Sequence, residues 1–249
     1  MQIILSIVSV LWIIYLFFRV KQSIHMLQLN SYFNKRLTRW ISGHWLKAFP
    51  INEWIALILA ILYYFNQSWT IFLIIILGLL VPKQKQQKKK LVVTTRVKRL
   101  IITISVIYLL LIATSLHFIW NDYPLSYAVF IVVLGSLLTY GIVLLANTIN
   151  RPIENAIKES YYKDAKNKIK SAKQTTTIGI TGSFGKTSTK FILDTILSNH
   201  FNTLKTPNSF NTKIGVTITI RNSLKAYHDV FIAEMGAKEP GNIQEICDW

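Results

Sequence analysis

Apolar positions fill the first 150 residues in long runs and become periodic only beyond them. A helix needs about 20 apolar residues to cross a bilayer, with a range of roughly 17–25. Met1 to Phe18, Ile101 to Trp120 and Tyr127 to Leu145 reach that length. The run from Phe49 to Val81 is interrupted by Asn66-Gln67-Ser68 and reads as two short spans, 49–65 and 69–82. Asn121 to Ser126, with Pro124, separates the last two spans. Trp120, Tyr123 and Tyr127 lie there, where an interfacial aromatic belt forms. The pattern predicts about five spans over residues 1–150. Ile24 to Trp45 is too polar to span. Phe33, Leu37, Trp40 and Ile41 recur there at helical spacing beside Lys35, Arg36 and Arg39, which predicts a helix lying in the inner interface over 24–45.

After Asn150 the periodicity changes. Ile153, Ile157, Tyr161, Ala165 and Ile169 form a stripe with i, i+4 spacing. It predicts an amphipathic helix over 151–172 that joins the membrane region to a second domain, with Pro152 near its start, where a missing N–H is tolerated. Thr175 to Ile180 is a short β-branched run that suits a buried strand. A helix follows the next loop, with Phe191, Ile192, Ile196 and Leu197 on its apolar side. Val230 to Ala233 is a second apolar strand, and Glu234 ends it.

Charge divides the same way. The chain carries +17 overall. Residues 1–150 hold 14 Lys and Arg against only Glu53 and Asp122, or +12; the remainder holds 14 basic and nine acidic residues, or +5. Basic clusters from Arg19 to Lys47 and from Lys83 to Arg99 flank apolar spans, the arrangement that the positive-inside rule produces. Both clusters belong in the cytoplasm, so the number of crossings between them is even. This places the N-terminus outside and the C-terminal half inside the cell. The charge therefore points to a lipid bilayer and away from nucleic acid. No basic residue precedes the first run, which does not fit a cleaved signal peptide. Cys247 is the single cysteine, so no intramolecular disulfide forms, in keeping with a reducing compartment. Cys247 reads as a packing residue of a helix, and His200 and His228 read as surface residues.

The loop between strand and helix holds the candidate chemistry. Thr181-Gly182-Ser183-Phe184-Gly185-Lys186-Thr187-Ser188 follows a strand and opens a helix, the context of a phosphate-binding loop. Glycines at 182 and 185 allow a tight turn and close approach of backbone to phosphate oxygens. Backbone N–H groups and the helix N-terminus then face the anion. Lys186 adds a mobile positive charge, and Thr187 offers a hydroxyl to Mg²⁺. The strict Walker pattern has glycine where this chain has Ile180. Glu234, at the end of an apolar strand, is a hard carboxylate suited to Mg²⁺ at the edge where ligands bind in parallel α/β sheets.

The form Thr-Gly-x-x-Gly-Lys-Thr-Ser resembles the loop of the Mur ligases, nearest to the D-alanyl-D-alanine-adding branch. Two later stretches are similar to the family: Leu204 to Gly215, with Asn208-Ser209-Phe210-Asn211-Thr212, and Val230 to Ala237, with Glu234. The likeness covers residues 175–249. After the α-helical transmembrane half that the apolar runs predict, it implies an α/β P-loop domain of the Mur ligase central type over 173–249, incomplete at its C-terminus. It implies ATP and Mg²⁺ as cofactors. Thr181, Gly182, Ser183, Gly185, Lys186, Thr187, Ser188 and Asn211 would bind the nucleotide, Thr187 and Glu234 the metal, and catalysis would rest on Lys186 and Glu234. A typical member has a second asparagine where this chain has Thr212.

The reaction implied is ATP-dependent phosphorylation of a carboxylate, then attack by an amine to give an amide in cell-wall (peptidoglycan) precursor synthesis. A membrane module replaces the usual domain for the uridine nucleotide precursor, so the expected acceptor is membrane-bound or lipid-linked. A lysine and a histidine of the family fall beyond Trp249, and the chain is expected to be a fragment. Three alternatives stay open: a folate or polyglutamate ligase, a membrane-tethered P-loop kinase regulating envelope polysaccharide, and an inactive membrane protein that still binds ATP.

Overall fold

A computed structural model describes residues 2–65, 89–208, 210–237 and 240–248. The expected span 69–82, its turn at Asn66 to Ser68, and Lys83, Lys85 and Lys88 lie outside the described residues. The chain forms two compact units, Met1–Pro152 and Ile153–Trp249.

The first unit is helical. Its elements are α1 (Gln2–Leu29), α2 (Asn34–Gly43), α3 (Trp45–Ala48), α4 (Ile51–Phe65), α5 (Thr95–Trp120), α6 (Leu125–Leu137) and the first part of α7 (Thr139–Ser171). The expected interfacial helix over 24–45 is divided between two elements. Helix α1 continues to Leu29, because Ile24 and Leu27 are buried in the core of this unit. The chain then turns at Ser31 and Tyr32, which take φ values of 56° and 60°. Helix α2 is amphipathic, but its apolar side packs on protein: Leu37 is buried and Trp40 and Ile41 lie against the same core. Lys35, Arg36 and Arg39 are exposed.

Helix α5 is, among the described residues, long and apolar enough to cross a membrane; α6 and α7 pass that test only as a pair bent by 70°. The expected span 127–145 is thus broken at Leu138. Thr139 Oγ1 donates to the Ser136 carbonyl at 2.5 Å at the bend. Helices α4 and α5 both pack along α6. Arg19, read from sequence as a flanking cytoplasmic charge, is instead 2% exposed and paired with Glu53 at 2.6 Å. The Ala48 carbonyl and the Tyr15 hydroxyl complete this group. A buried ion pair holds only when its remaining donors and acceptors are bonded in this way.

The second unit contains the rest of α7, then β1 (Thr176–Ile180), α8 (Lys186–Leu197), β2 (Thr203–Lys205), α9 (Lys213–Ser223), β3 (Val230–Glu234) and α10 (Asn242–Cys247). Pro152 lies inside α7 and not at a helix start. The sheet is parallel in the order β1-β3-β2, with Ile180 beside Glu234. The expected buried strand, β1, lies at the edge with Thr176, Thr177 and Gly179 exposed, while all five residues of the central β3 are buried. Ala165 of α7, Val216 and Ile220 of α9, and Phe231 and Ala233 of β3 share one core.

The helix after the loop also turns a different side inward. Phe191, Ile192 and Ile196 are exposed, and Lys190 is buried. Thr187, Lys190 and Asp194 share the face that meets the sheet, at the i, i+3, i+7 spacing of one helix side. Thr187 and Lys190 bond Glu234 on β3, and Asp194 bonds Thr203 and Lys205 on β2. These polar bonds orient α8 toward the sheet, with Leu193 and Leu197 half-buried on the same helix.

Candidate nucleotide site

The site is assembled where β1 and β3 end side by side. Leaving β1, the chain enters the glycine loop, with Gly182 at φ 153° and Gly185 at φ 75°. Gly185 is the residue immediately before α8, and the left-handed conformation there is nearly free of cost only for glycine. Phe184 points outward and is 96% exposed, so it takes no part in the loop's interior. Lys186 Nζ donates to the carbonyls of Gly182 and Ser183. The ammonium therefore folds back over the loop that would hold a phosphate.

Strand β3 delivers Glu234, which is 1% exposed. Its Oε2 accepts from Thr187 Oγ1 at 3.0 Å and from Lys190 Nζ at 2.9 Å. Its Oε1 accepts from Asn211 Nδ2 at 3.3 Å. Burial disfavours the charged carboxylate, but the bonds from Lys190 and Thr187 and the Lys190 charge outweigh it. The carboxyl is held below its ordinary value. The Thr206 hydroxyl, fully buried, accepts the Glu234 N–H at 3.0 Å.

Asn211 is fixed from the other side. Its carbonyl accepts the Gly236 N–H at 2.6 Å, just past the end of β3. Thr212 accepts the Gly215 N–H at 3.3 Å and caps α9. The departure from a second asparagine therefore has a local reason, since threonine is a competent N-cap.

A cavity of about 690 Å³ opens over this group, lined by Thr181, Gly182, Ser183 and Lys186 on one side and by Asn211 to Ile214, Gly236 and Ala237 on another. Tyr162 of α7 and Asn242, Glu245 and Ile246 of α10 complete the wall. Of the residues expected from sequence, Thr181, Gly182, Ser183, Lys186 and Asn211 line the cavity. Thr187 and Glu234 stand together beneath them, and Gly185 shapes the turn. Ser188 is exposed and does not line the cavity.

The expectation that His228 is a surface residue is corrected: it is 8% exposed, and its Nδ1 accepts the Lys225 N–H at 2.9 Å. His200 is exposed. Cys247 is exposed at the end of α10, with Sγ 4.0 Å from Met235 Sδ.

Sequence reasoning gave no role to Lys190, Thr206 or Tyr162. The signal for Lys190 was its place three residues after Thr187 on the same helix face. Thr206 and Tyr162 carry no comparable signal.

The donor set fits a magnesium–nucleotide complex. The loop supplies backbone N–H groups and an ammonium. Thr187 and Glu234 supply hard oxygen atoms, which Mg²⁺ prefers. Among the described residues, no cluster of three or more His, Cys, Asp or Glu side chains could hold a metal by itself.

Comparison with known proteins finds a likeness over the same stretch of chain. Residues 180–249 match the family model of the Mur ligase middle domain. The chain is similar to UDP-N-acetylmuramoyl-tripeptide–D-alanyl-D-alanine ligases. That of Buchnera aphidicola subsp. Baizongia pistaciae is 45% identical over 69 residues, which is 28% of this chain and 15% of that protein. That of Mycobacterium leprae is 43% identical over 72 residues, 29% of this chain and 14% of that protein. That of Synechocystis sp. is 41% identical over 71 residues, 28% of this chain and 15% of that protein. The chain thus covers about 15% of the length of the curated relatives it matches. No solved structure matches it significantly. The loop and Asn211 line one cavity, with Glu234 beneath them, and all of these lie in the stretch, residues 180–249, that is similar to the Mur ligase middle domain.

Proposed function

We propose that this chain binds ATP with Mg²⁺ at the Lys186 loop and works as an ATP-dependent amide-bond-forming ligase on a peptidoglycan precursor, through an acyl phosphate. The observation that carries the reading is the convergence of Thr187 and Asn211 on the Glu234 carboxylate beside the glycine loop. In this reading Lys186 and the N-terminus of α8 bind the phosphates, and Thr187 and Glu234 face the cation. Mg²⁺, when bound, offsets the repulsion between a carboxylate and the phosphate that approaches it. With Glu234 as the carboxylate beside Thr187, the cation takes its other ligands from phosphate oxygens and water, the usual habit of Mg²⁺.

The same reading places the chain in the cell membrane with the nucleotide site in the cytoplasm, and gives it a membrane-bound or lipid-linked acceptor. Supporting this, α5 exposes Ile102, Leu109, Leu110 and Leu116, and only 17% of its apolar window is buried against protein. Such a surface suits lipid, whereas the core helix of a soluble protein is mostly covered. The basic clusters on either side of the apolar runs suit an anionic inner leaflet.

The test is phosphate release from ATP by the full chain in membranes. D-alanyl-D-alanine is supplied with a muramoyl-tripeptide acceptor that is either lipid-linked or a soluble uridine diphosphate. Release that needs both amine and lipid-linked acceptor is the expected result. Preference for the soluble acceptor contradicts the membrane-acceptor part. No release with either, from a chain that binds ATP, contradicts the ligase reading.

A further inference from the structure

Lys190 is the charged group that the loop chemistry leaves unused. It lies one helical turn beyond Lys186 and is fully excluded from solvent. A lysine rarely occupies such a place unless its charge is matched. Here Nζ donates to Glu234 Oε2 at 2.9 Å and to the Asn208 carbonyl. Asn208 takes φ 43°, a left-handed conformation that asparagine tolerates better than most residues, and it stands three residues before Asn211. Lys190 thus joins three segments at one point: the helix that follows the loop, the end of β3, and the turn between β2 and α9.

The two oxygens of Glu234 are held unequally. Oε2 accepts two bonds, from Lys190 and from Thr187. Oε1 accepts one, from Asn211 at 3.3 Å, near the long limit for such a bond. The carboxylate is anchored through one oxygen and lightly held through the other.

We propose that Lys190 is a positioning residue: by holding Glu234 Oε2 and the Asn208 carbonyl, it fixes the carboxylate and the Asn211 turn so that Oε1 is the oxygen offered to a nucleotide-bound divalent cation. The inference rests on the nucleotide reading given above. It differs from a packing role, in which Lys190 affects only stability. It also differs from competition, in which the ammonium excludes the cation. Groups that orient a metal ligand from behind influence metal affinity by about 10- to 100-fold.

The test measures ATP affinity of the full chain in detergent with and without Mg²⁺, and Mn²⁺ binding with ATP by electron paramagnetic resonance. Lys190→Met preserves length and removes the charge. The expected result is unchanged affinity without metal, a gain from Mg²⁺ reduced about 10- to 100-fold, and weaker Mn²⁺ binding. An unchanged or larger gain overturns the inference. Because a lone buried carboxylate can impair folding, a second comparison uses Glu234→Gln with and without Lys190→Met. If Lys190 acts through Glu234, the double variant loses no more of the Mg²⁺ gain than Glu234→Gln alone; a further independent loss overturns it. Failure of the unaltered chain to bind ATP refutes the nucleotide reading itself, whereas binding that is indifferent to Lys190 refutes only this proposal.

Discussion

The Gly236 N–H donates to the Asn211 carbonyl at 2.6 Å, and a Cβ at 236 would stand 3.0 Å from Asn211 Cγ. A Cβ there is tighter than ordinary contact, so the residue that reaches back to Glu234 would have to give way by a few tenths of an ångström. Gly236→Ala is expected to displace Asn211 and destabilise the second unit by about 1–3 kcal/mol, the usual effect of overpacking. Thermal unfolding and ATP affinity should both report it. Gly185→Ala makes a useful contrast. Nothing lies within 4 Å of a Cβ there, so the loss of about 1–2 kcal/mol comes from the left-handed backbone alone.

Thr212 tests whether the departure from the family's second asparagine is a matter of capping. Thr212→Ala removes the acceptor for the Gly215 N–H and should lower stability by about 1 kcal/mol. Thr212→Asn restores a cap of equal quality and should be close to neutral. A large loss of stability in Thr212→Asn would show that the threonine does more than cap.

Acid should loosen the second unit. Burial opposes ionisation of Glu234 and Asp194, but their hydrogen-bond partners prevail. Both carboxyls are held below their ordinary values of 4.5 and 3.8. Their folded values are depressed, so the stabilisation is fully present above those ordinary values and disappears as pH falls through the folded ones. Unfolding temperature of the full chain is expected to hold steady down to about pH 5 and to decline below about pH 4. Asp194→Asn, which weakens the link to Thr203 and Lys205, should flatten that decline. An identical acid limb in the variant would count against the assignment.

Topology is tested by reporters fused in the full chain. A fusion at Tyr123, in the turn between α5 and α6, should report an external location, and one at Lys163 a cytoplasmic one. A cytoplasmic signal at Tyr123 contradicts the membrane arrangement.

The sequence made some parts of this structure legible and hid others for physical reasons. The loop was readable because Gly182, Gly185, Lys186 and Thr187 are residue types that few other structures require together. Glu234 was readable because an acid closing an apolar strand has few explanations. The inward side of α8 was not readable from hydrophobicity. Phe191, Ile192 and Ile196 suggest one face, yet Thr187, Lys190 and Asp194 make the bonds that orient the helix. Apolar pattern records what burial favours and cannot register a polar inner face whose partners come from distant strands. The same limit hid the Arg19–Glu53 pair, because its two members are 34 residues apart and each looks like an ordinary flanking charge. The break at Leu138 has no proline to mark it, and Gly135, Ser136 and Thr139 beside it are small residues of kinds that straight apolar helices also carry.

The central claim is that the Lys186 loop binds a magnesium–nucleotide complex. The most direct measurement is the affinity of the full chain for ATP with Mg²⁺, beside that of Lys186→Ala. A bond from a charged donor contributes about 1.5–3 kcal/mol, so the variant should bind about 10- to 100-fold more weakly. Equal affinity in the two chains, or no binding by the unaltered chain at millimolar ATP, would contradict the account.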